Sequence, residues 1–168
     1  MANTATPLLP VDGSITITDG GALSFTVAYE DGDFQFGDVN PTQKTRQSFM
    51  KRGKVYAVRD VEDQPIEVTF TCHAVHIIGD GTTATIGDVV LKKGPWAAAT
   101  STLPTTAGDA YCLTVKWTGE RSNFGATADN SVILKYCTLD LNFSEGVPGK
   151  LSLKITAHTY STDYITYA

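Results

Sequence analysis

Charge is scarce in this chain of 168 residues: Asp, Glu, Lys and Arg together make up 18% of it, and Thr, Ser and Gly take up the difference. So little charge, with 42% hydrophobic residues, excludes a disordered polyelectrolyte and fits an antiparallel β protein with uncharged polar faces. Cysteine is sparse as well. Cys72, Cys112 and Cys137 are odd in number, widely spaced and set in apolar strand-like runs, which gives neither a disulfide framework nor a zinc pattern. We expect them to be buried small hydrophobes. No apolar run approaches the length of a transmembrane helix, so insertion of this chain into a membrane is not expected. The opening segment MANTATPLLPVDG has no basic n-region and no long apolar h-region, so no secretory signal is expected. The net charge of −5 argues against tight nucleic-acid binding, which needs a cationic surface to release counterions.

Site chemistry is equally thin. His73-x-x-His76 has the look of a metal pair, but on a strand positions three apart face opposite ways. His158 has no partner by spacing. Gly79-Asp80-Gly81 lacks the Lys-Ser/Thr of a phosphate loop, and Asp31-Gly32-Asp33 fails at the later ligand positions of a calcium loop. Asn142-Phe143-Ser144 matches a glycosylation sequon but sits in a strand pattern. No Ser-His-Asp set or carboxylate pair is readable. The sequence therefore nominates no catalytic, cofactor or metal residue, and the expectation is a non-enzyme without a cofactor.

What the chain has is period-two alternation. Ile15 and Ile17 alternate with hydroxyls before the turn signal Asp19-Gly20-Gly21. Leu23, Phe25, Val27 and Tyr29 share a face, and Phe34 and Phe36 open a short strand. Val55 to Arg59 is a returning strand, followed by a turn over Asp60 to Pro65. Ile66, Val68 and Phe70 oppose Glu67, Thr69 and Thr71; Leu113, Val115 and Trp117 oppose Thr114, Lys116 and Thr118; Leu151, Leu153, Ile155 and Ala157 oppose Ser152, Lys154, Thr156 and His158. The longest run, Ser131 to Phe143, carries Cys137, Leu139, Leu141 and Phe143 against Thr138, Asp140 and Asn142, while its first half is apolar on both faces. Ser144 to Lys150 joins it to the next strand as a hairpin loop. One helix is expected, capped by Thr82 or Thr83, with an Ile86, Val89 and Val90 stripe, Lys92 and Lys93 at its end, and Gly94-Pro95 to stop it. The fold class is mainly β, an antiparallel sandwich or partial barrel with one α-helix, in a single domain spanning residues 1–168.

Two segments stand apart. Residues 1–13 form a proline-bearing N-terminal arm without periodicity. Asp38 to Lys54 reads as a long basic loop, net +4, which leaves −9 on the remaining residues. It carries Lys44, Arg46, Phe49, Met50, Lys51 and Arg52, a cationic set with two large apolar side chains suited to docking on an acidic surface of another copy. The polar strand faces are the second interest. Glu67, Thr69, Thr71, Thr114, Lys116, Thr118, Thr138, Asp140, Asn142, Ser152, Lys154 and Thr156 are short, of mixed charge and free of aromatics. They suit either the solvated face of a sandwich or the wall of a wider barrel completed by strands of neighbouring copies, edge to edge.

The order ITITDGG, LSFTVAYEDGDFQF, a long polar loop, DQPIEVTFT, LKKGPW, YCLTVKW and VILKYCTLDLNFSEGVPGKLSLKITAHT resembles the tail tube, or major tail, proteins of tailed bacteriophages, over roughly Ile15 to Thr159. Members of that family form hexameric rings that stack into a tube through which genomic DNA passes, and share their fold with the tube protein of type VI secretion systems. The resemblance implies a structural virion protein of the tail, assembled in the host cytoplasm. Its partners would be its own copies, a tail terminator, a tape measure, a baseplate or tip, and genomic DNA in transit without sequence-specific binding. It assigns Asp38–Gly53 to inter-ring contact. Four segments, Ile66–Cys72, Cys112–Thr118, Val132–Phe143 and Leu151–His158, would form the channel wall, with the twelve polar residues toward the lumen and Thr83–Lys93 as an outer helix. No C-terminal extension is matched after Ala157. Two alternatives remain: a monomeric β-sandwich binding or adhesion module, for which Trp96, Trp117 and Tyr160 to Tyr167 would supply the aromatics, and the tube of a contractile secretion-type injection system.

Overall fold

The structure is a computed structural model that describes residues 12–29, 44–51, 54–63, 65–73, 79, 81–120, 131–145, 150–158 and 165–167. It is mainly β. The alternating segments become β1 (Asp12–Thr18), β2 (Ser24–Val27), β5 (Ile66–Cys72), β6 (Leu113–Glu120), β7 (Ser131–Ser144) and β8 (Lys150–Ala157). They lie in one antiparallel sheet in the order β2-β1-β6-β7-β8-β5. A short β9 (Ile165–Tyr167) adds to β7 at Val132–Leu134. The inward positions form a single core that contains Ile15, Ile17 and Val115 together with Val68, Phe70, Leu153 and Ile155. Residues from both ends of the strand order meet in that core, so the sheet is folded over on itself. Each fully buried aliphatic or aromatic side chain contributes about 1.5–3 kcal/mol of transfer free energy.

The fold-over takes place at β7. β6 pairs with its first half, Ser131 to Cys137, and β8 with its second, Cys137 to Ser144. Between them the register slips by one residue, and Tyr136 takes a left-handed φ of 56°. This is a β-bulge, which bends a strand and raises its twist. It also replaces one expectation. The first half of β7 looked apolar on both faces because its inward positions are even (Val132, Leu134), whereas those of the second half are odd (Cys137, Leu139). The slip changes the phase. The edge strands then approach at one corner, where Tyr29 bridges Cys72 and His73 N donates to Ala28 O at 2.8 Å. The sheet is not closed into a barrel by a ladder among the described residues.

Two buried carboxylates tie down the connections. Asp19, 8% exposed, accepts from the amides of Gly21, Leu23 and Thr100, each at 2.9 Å, which pins the β1–β2 turn to the 97–103 segment. Burial pushes its carboxyl up, but the amides of Thr100, Leu23 and Gly21 outweigh burial and hold it below the ordinary range. The helix is shorter than expected. α1 spans Ile86–Leu91, and its cap is Thr85 rather than Thr82 or Thr83, because Thr85 and Asp88 form a reciprocal capping box. Asp88 also accepts from Gly79 N at 3.1 Å, and Lys92 ends the helix in the left-handed region before Lys93 can join it. Ile86 and Val89 are buried as the stripe required, and Val90 is half-buried.

Of the segment read as an N-terminal arm, Asp12 and Gly13 belong to β1, and residues 1–11 lie outside the described residues. A Cβ on Gly13 would lie 2.4 Å from Trp117 Nε1, so the strand can pass under this indole only as glycine. Phe34 and Phe36 lie outside the described residues. The basic segment is not a plain loop. Lys44–Lys51 form β3 and Lys54–Asp63 form β4, an antiparallel pair that makes its own two-stranded sheet. The turn expected over Asp60 to Pro65 gives way to strand as far as Asp63, because β4 follows β3 past two bulges.

Candidate assembly surface

The second half of β7, β8 and β5 lie side by side with their outward residues in register. Glu67, Thr156 and Thr138 form one cross-strand row; Thr69, Lys154 and Asp140 the next; Thr71, Ser152 and Asn142 the third. Nine of the twelve residues singled out from sequence are thus brought together on one surface. Glu67, Thr69, Asp140 and Asn142 are exposed, and the other five are half-buried. Lys154 is the only cation among the nine, and its Nζ lies 2.9 Å from Glu67 Oε1. Both partners are well solvated, so this pair contributes about 0–1 kcal/mol to stability. Its larger consequence is electrostatic, since the carboxylate occupies the only ammonium among these nine residues. At the edge of the grid the Thr138 hydroxyl and His158 Nε2 are 2.9 Å apart.

The remaining three, Thr114, Lys116 and Thr118, are not part of that grid. They stand on β6, beyond the bulge, where Lys116 is opposite Ile133 and Thr118 opposite Ser131. Their other neighbours are Thr18, Thr16 and Ser14 of β1.

Of the six residues assigned to docking, Lys44, Arg46, Phe49, Met50 and Lys51 lie along β3, and Arg52 falls in the two-residue connection outside the described residues. β3 pairs with β4 alone among the described residues, and β4 leads through Pro65 into β5. The arm is therefore attached directly to the strand that carries Glu67.

The other candidates resolve as follows. All three cysteines are buried, as expected. Burial pushes the Cys137 and Cys112 thiols up, which keeps them as unreactive thiols. Trp96 is 1% exposed and Trp117 packs against the core, so neither can belong to an exposed aromatic platform; Tyr160 lies outside the described residues. His76 does too, and no group of three metal-binding side chains occurs among the described residues. No helix among them is long and apolar enough to cross a membrane. An open cleft of about 260 Å³ lies between β2, the end of β5 and the residues before α1, lined by Phe25, Val27, Cys72, His73, Ala84 and Ile86 and without an acid or a Lys or Arg.

Sequence reasoning missed Asp19 and Asp88 as organising carboxylates. Asp88, three residues after Thr85, carried the capping signal; the Asp19 contacts to Thr100 span 81 positions and leave no local trace. It also placed Phe143 on the apolar face without foreseeing that it stands 61% exposed at the open end of β7. Compared with known proteins, the chain matches no family model and none of the curated sequences.

Proposed function

We propose that this protein is the subunit of a bacteriophage tail tube, assembling into stacked hexameric rings whose channel conducts genomic DNA. The observation that carries the reading is the nine-residue outer face of β7, β8 and β5: continuous, polar, without aromatics, and with its single cation already paired. A channel for DNA must wet the duplex without gripping it. Cations held toward phosphates would bind through counterion release and slow transit, whereas short hydroxyls and a slight excess of acid leave the duplex free to slide. The two-stranded basic arm is the second support. It precedes β5 as a separate two-stranded sheet, and an isolated hairpin is at best marginally stable in water, so it fits a segment stabilised by contact with another copy. The acidic balance of the other residues supplies a surface for it.

The channel assignment is tested by Glu67→Lys combined with Thr69→Lys in assembled particles. Both positions are exposed, so folding should tolerate the change, while the face gains two cations and loses the partner of Lys154. Tails of normal length with DNA delivery slowed at least tenfold are expected. Delivery at the normal rate would remove this face from the channel.

A further inference from the structure

The second half of β7 offers one more feature, an open edge. His158 N donates to Tyr136 O at 3.2 Å, so even-numbered positions along β8 turn their backbone groups toward β7. Their partners Thr138, Asp140, Asn142 and Ser144 turn back toward β8. Leu139, Leu141 and Phe143 then present their N–H and C=O groups to the other side, where β6 has already ended, since its pairing stops at Leu113 opposite Cys137. Among the described residues no strand covers this edge. Phe143 beside it is 61% exposed, and Asp140 and Glu145 flank it. A long, uncovered edge with an exposed aromatic is a template for strand addition.

β3 has the matching properties. It is 8 residues long and, among the described residues, pairs on one side only. At both of its register shifts the extra residue falls on β4, between Glu62 and Asp60 and between Ala57 and Val55, so β3 itself keeps a regular edge. Its sequence KTRQSFMK has three cations and no acid, against the two acids of TLDLNFSE, which covers the end of β7 and the residue after it. We propose that β3 of one copy adds as a strand to the Thr138–Ser144 edge of β7 in another copy, so that the basic arm continues the neighbour's wall sheet. The inference rests on the tube reading only in placing that second copy in the adjoining ring. Opposite charge sets the partner and the encounter rate, and the new ladder would cover Phe143.

The test is a cross-link between chains. Full-length Ser48→Cys is mixed with full-length Asn142→Cys and oxidised mildly; the native cysteines are buried and do not compete. A Thr26→Cys chain, altered at an exposed position of β2, is the control partner. At least tenfold more mixed dimer with Asn142→Cys than with Thr26→Cys is expected. Adding Asp140→Lys and Glu145→Lys should cut that yield tenfold, and Lys44→Glu with Arg46→Glu on the arm should restore it. Equal yields with the two partners, or a yield indifferent to the charges, would overturn the proposal. Native tubes without the specific cross-link would leave the tube reading standing and remove this docking site; the cross-link without tubes would do the reverse.

Discussion

The folded-over sheet and the β3–β4 arm are both antiparallel β structure, yet their backbones are satisfied in different ways. In the main sheet, alternate residues of six strands converge on one core, and buried carboxylates fasten the turns. In the arm, two strands have only each other among the described residues, and their sequence places cations where the sheet strands place hydroxyls. Under the proposed assembly the difference separates folding from docking: the sheet is held by its own core, and the arm gains its stability from the copy it docks on. Substitutions in the sheet should therefore change unfolding, and substitutions in the arm should change association and leave unfolding alone.

The strongest way to break that division is Lys51→Glu with Arg52→Glu. Stacking should be abolished, leaving single rings in electron micrographs, while the melting temperature stays within a degree or two of the parent. A large fall in melting temperature would make the arm part of the folding unit. Next comes Phe70→Ala, in the centre of the core at 2% exposure, expected to cost about 3–5 kcal/mol in urea unfolding. A smaller loss is expected from Asp19→Ala, about 3 kcal/mol, because three backbone amides lose their acceptor. The same group fixes the acid limb. Its carboxyl lies below the ordinary value in the fold, so its contribution is complete above about pH 4 and is lost as pH falls through the lower folded value. Asp19→Ala should flatten the fall in stability below about pH 4.

On the alkaline side the sign reverses. The Cys137 thiol is raised by burial, so the sheet keeps its full stability below the ordinary thiol value near pH 8.5 and loses about 1.4 kcal/mol per pH unit above it. Cys137→Ala should flatten that slope, measured by denaturant unfolding from pH 8 to 11. The smallest effect belongs to Lys154→Ala, under about 1 kcal/mol of stability, since its pair with Glu67 is solvated.

Much of the sheet was legible because its strands obey a period of two. Ile66 to Cys72 and Leu151 to Ala157 came out with the expected faces, and the antiparallel ladder between β7 and β8 runs as far as Ser144 opposite Lys150. What the sequence hid was the single-residue slip at Tyr136, since a bulge shifts phase without any distinctive residue. β6 also pairs with the first half of β7 and β8 with the second, so Thr114, Lys116 and Thr118 stand beside β1 and apart from the other nine polar positions of the proposed wall. The arm was legible as a cationic, inserted segment but not as a hairpin, because its apolar residues are too few to show alternation. The helix boundaries moved because three threonines, Thr82, Thr83 and Thr85, compete for the cap, and only Thr85 has an acid three positions on.

The central claim is that this subunit is built to assemble with copies of itself. Mass measurement across a concentration series, followed by negative-stain microscopy of the same samples, tests it most directly. The account predicts rings and stacked tubes that grow with concentration. A single species at 18.0 kDa over the whole series would contradict it.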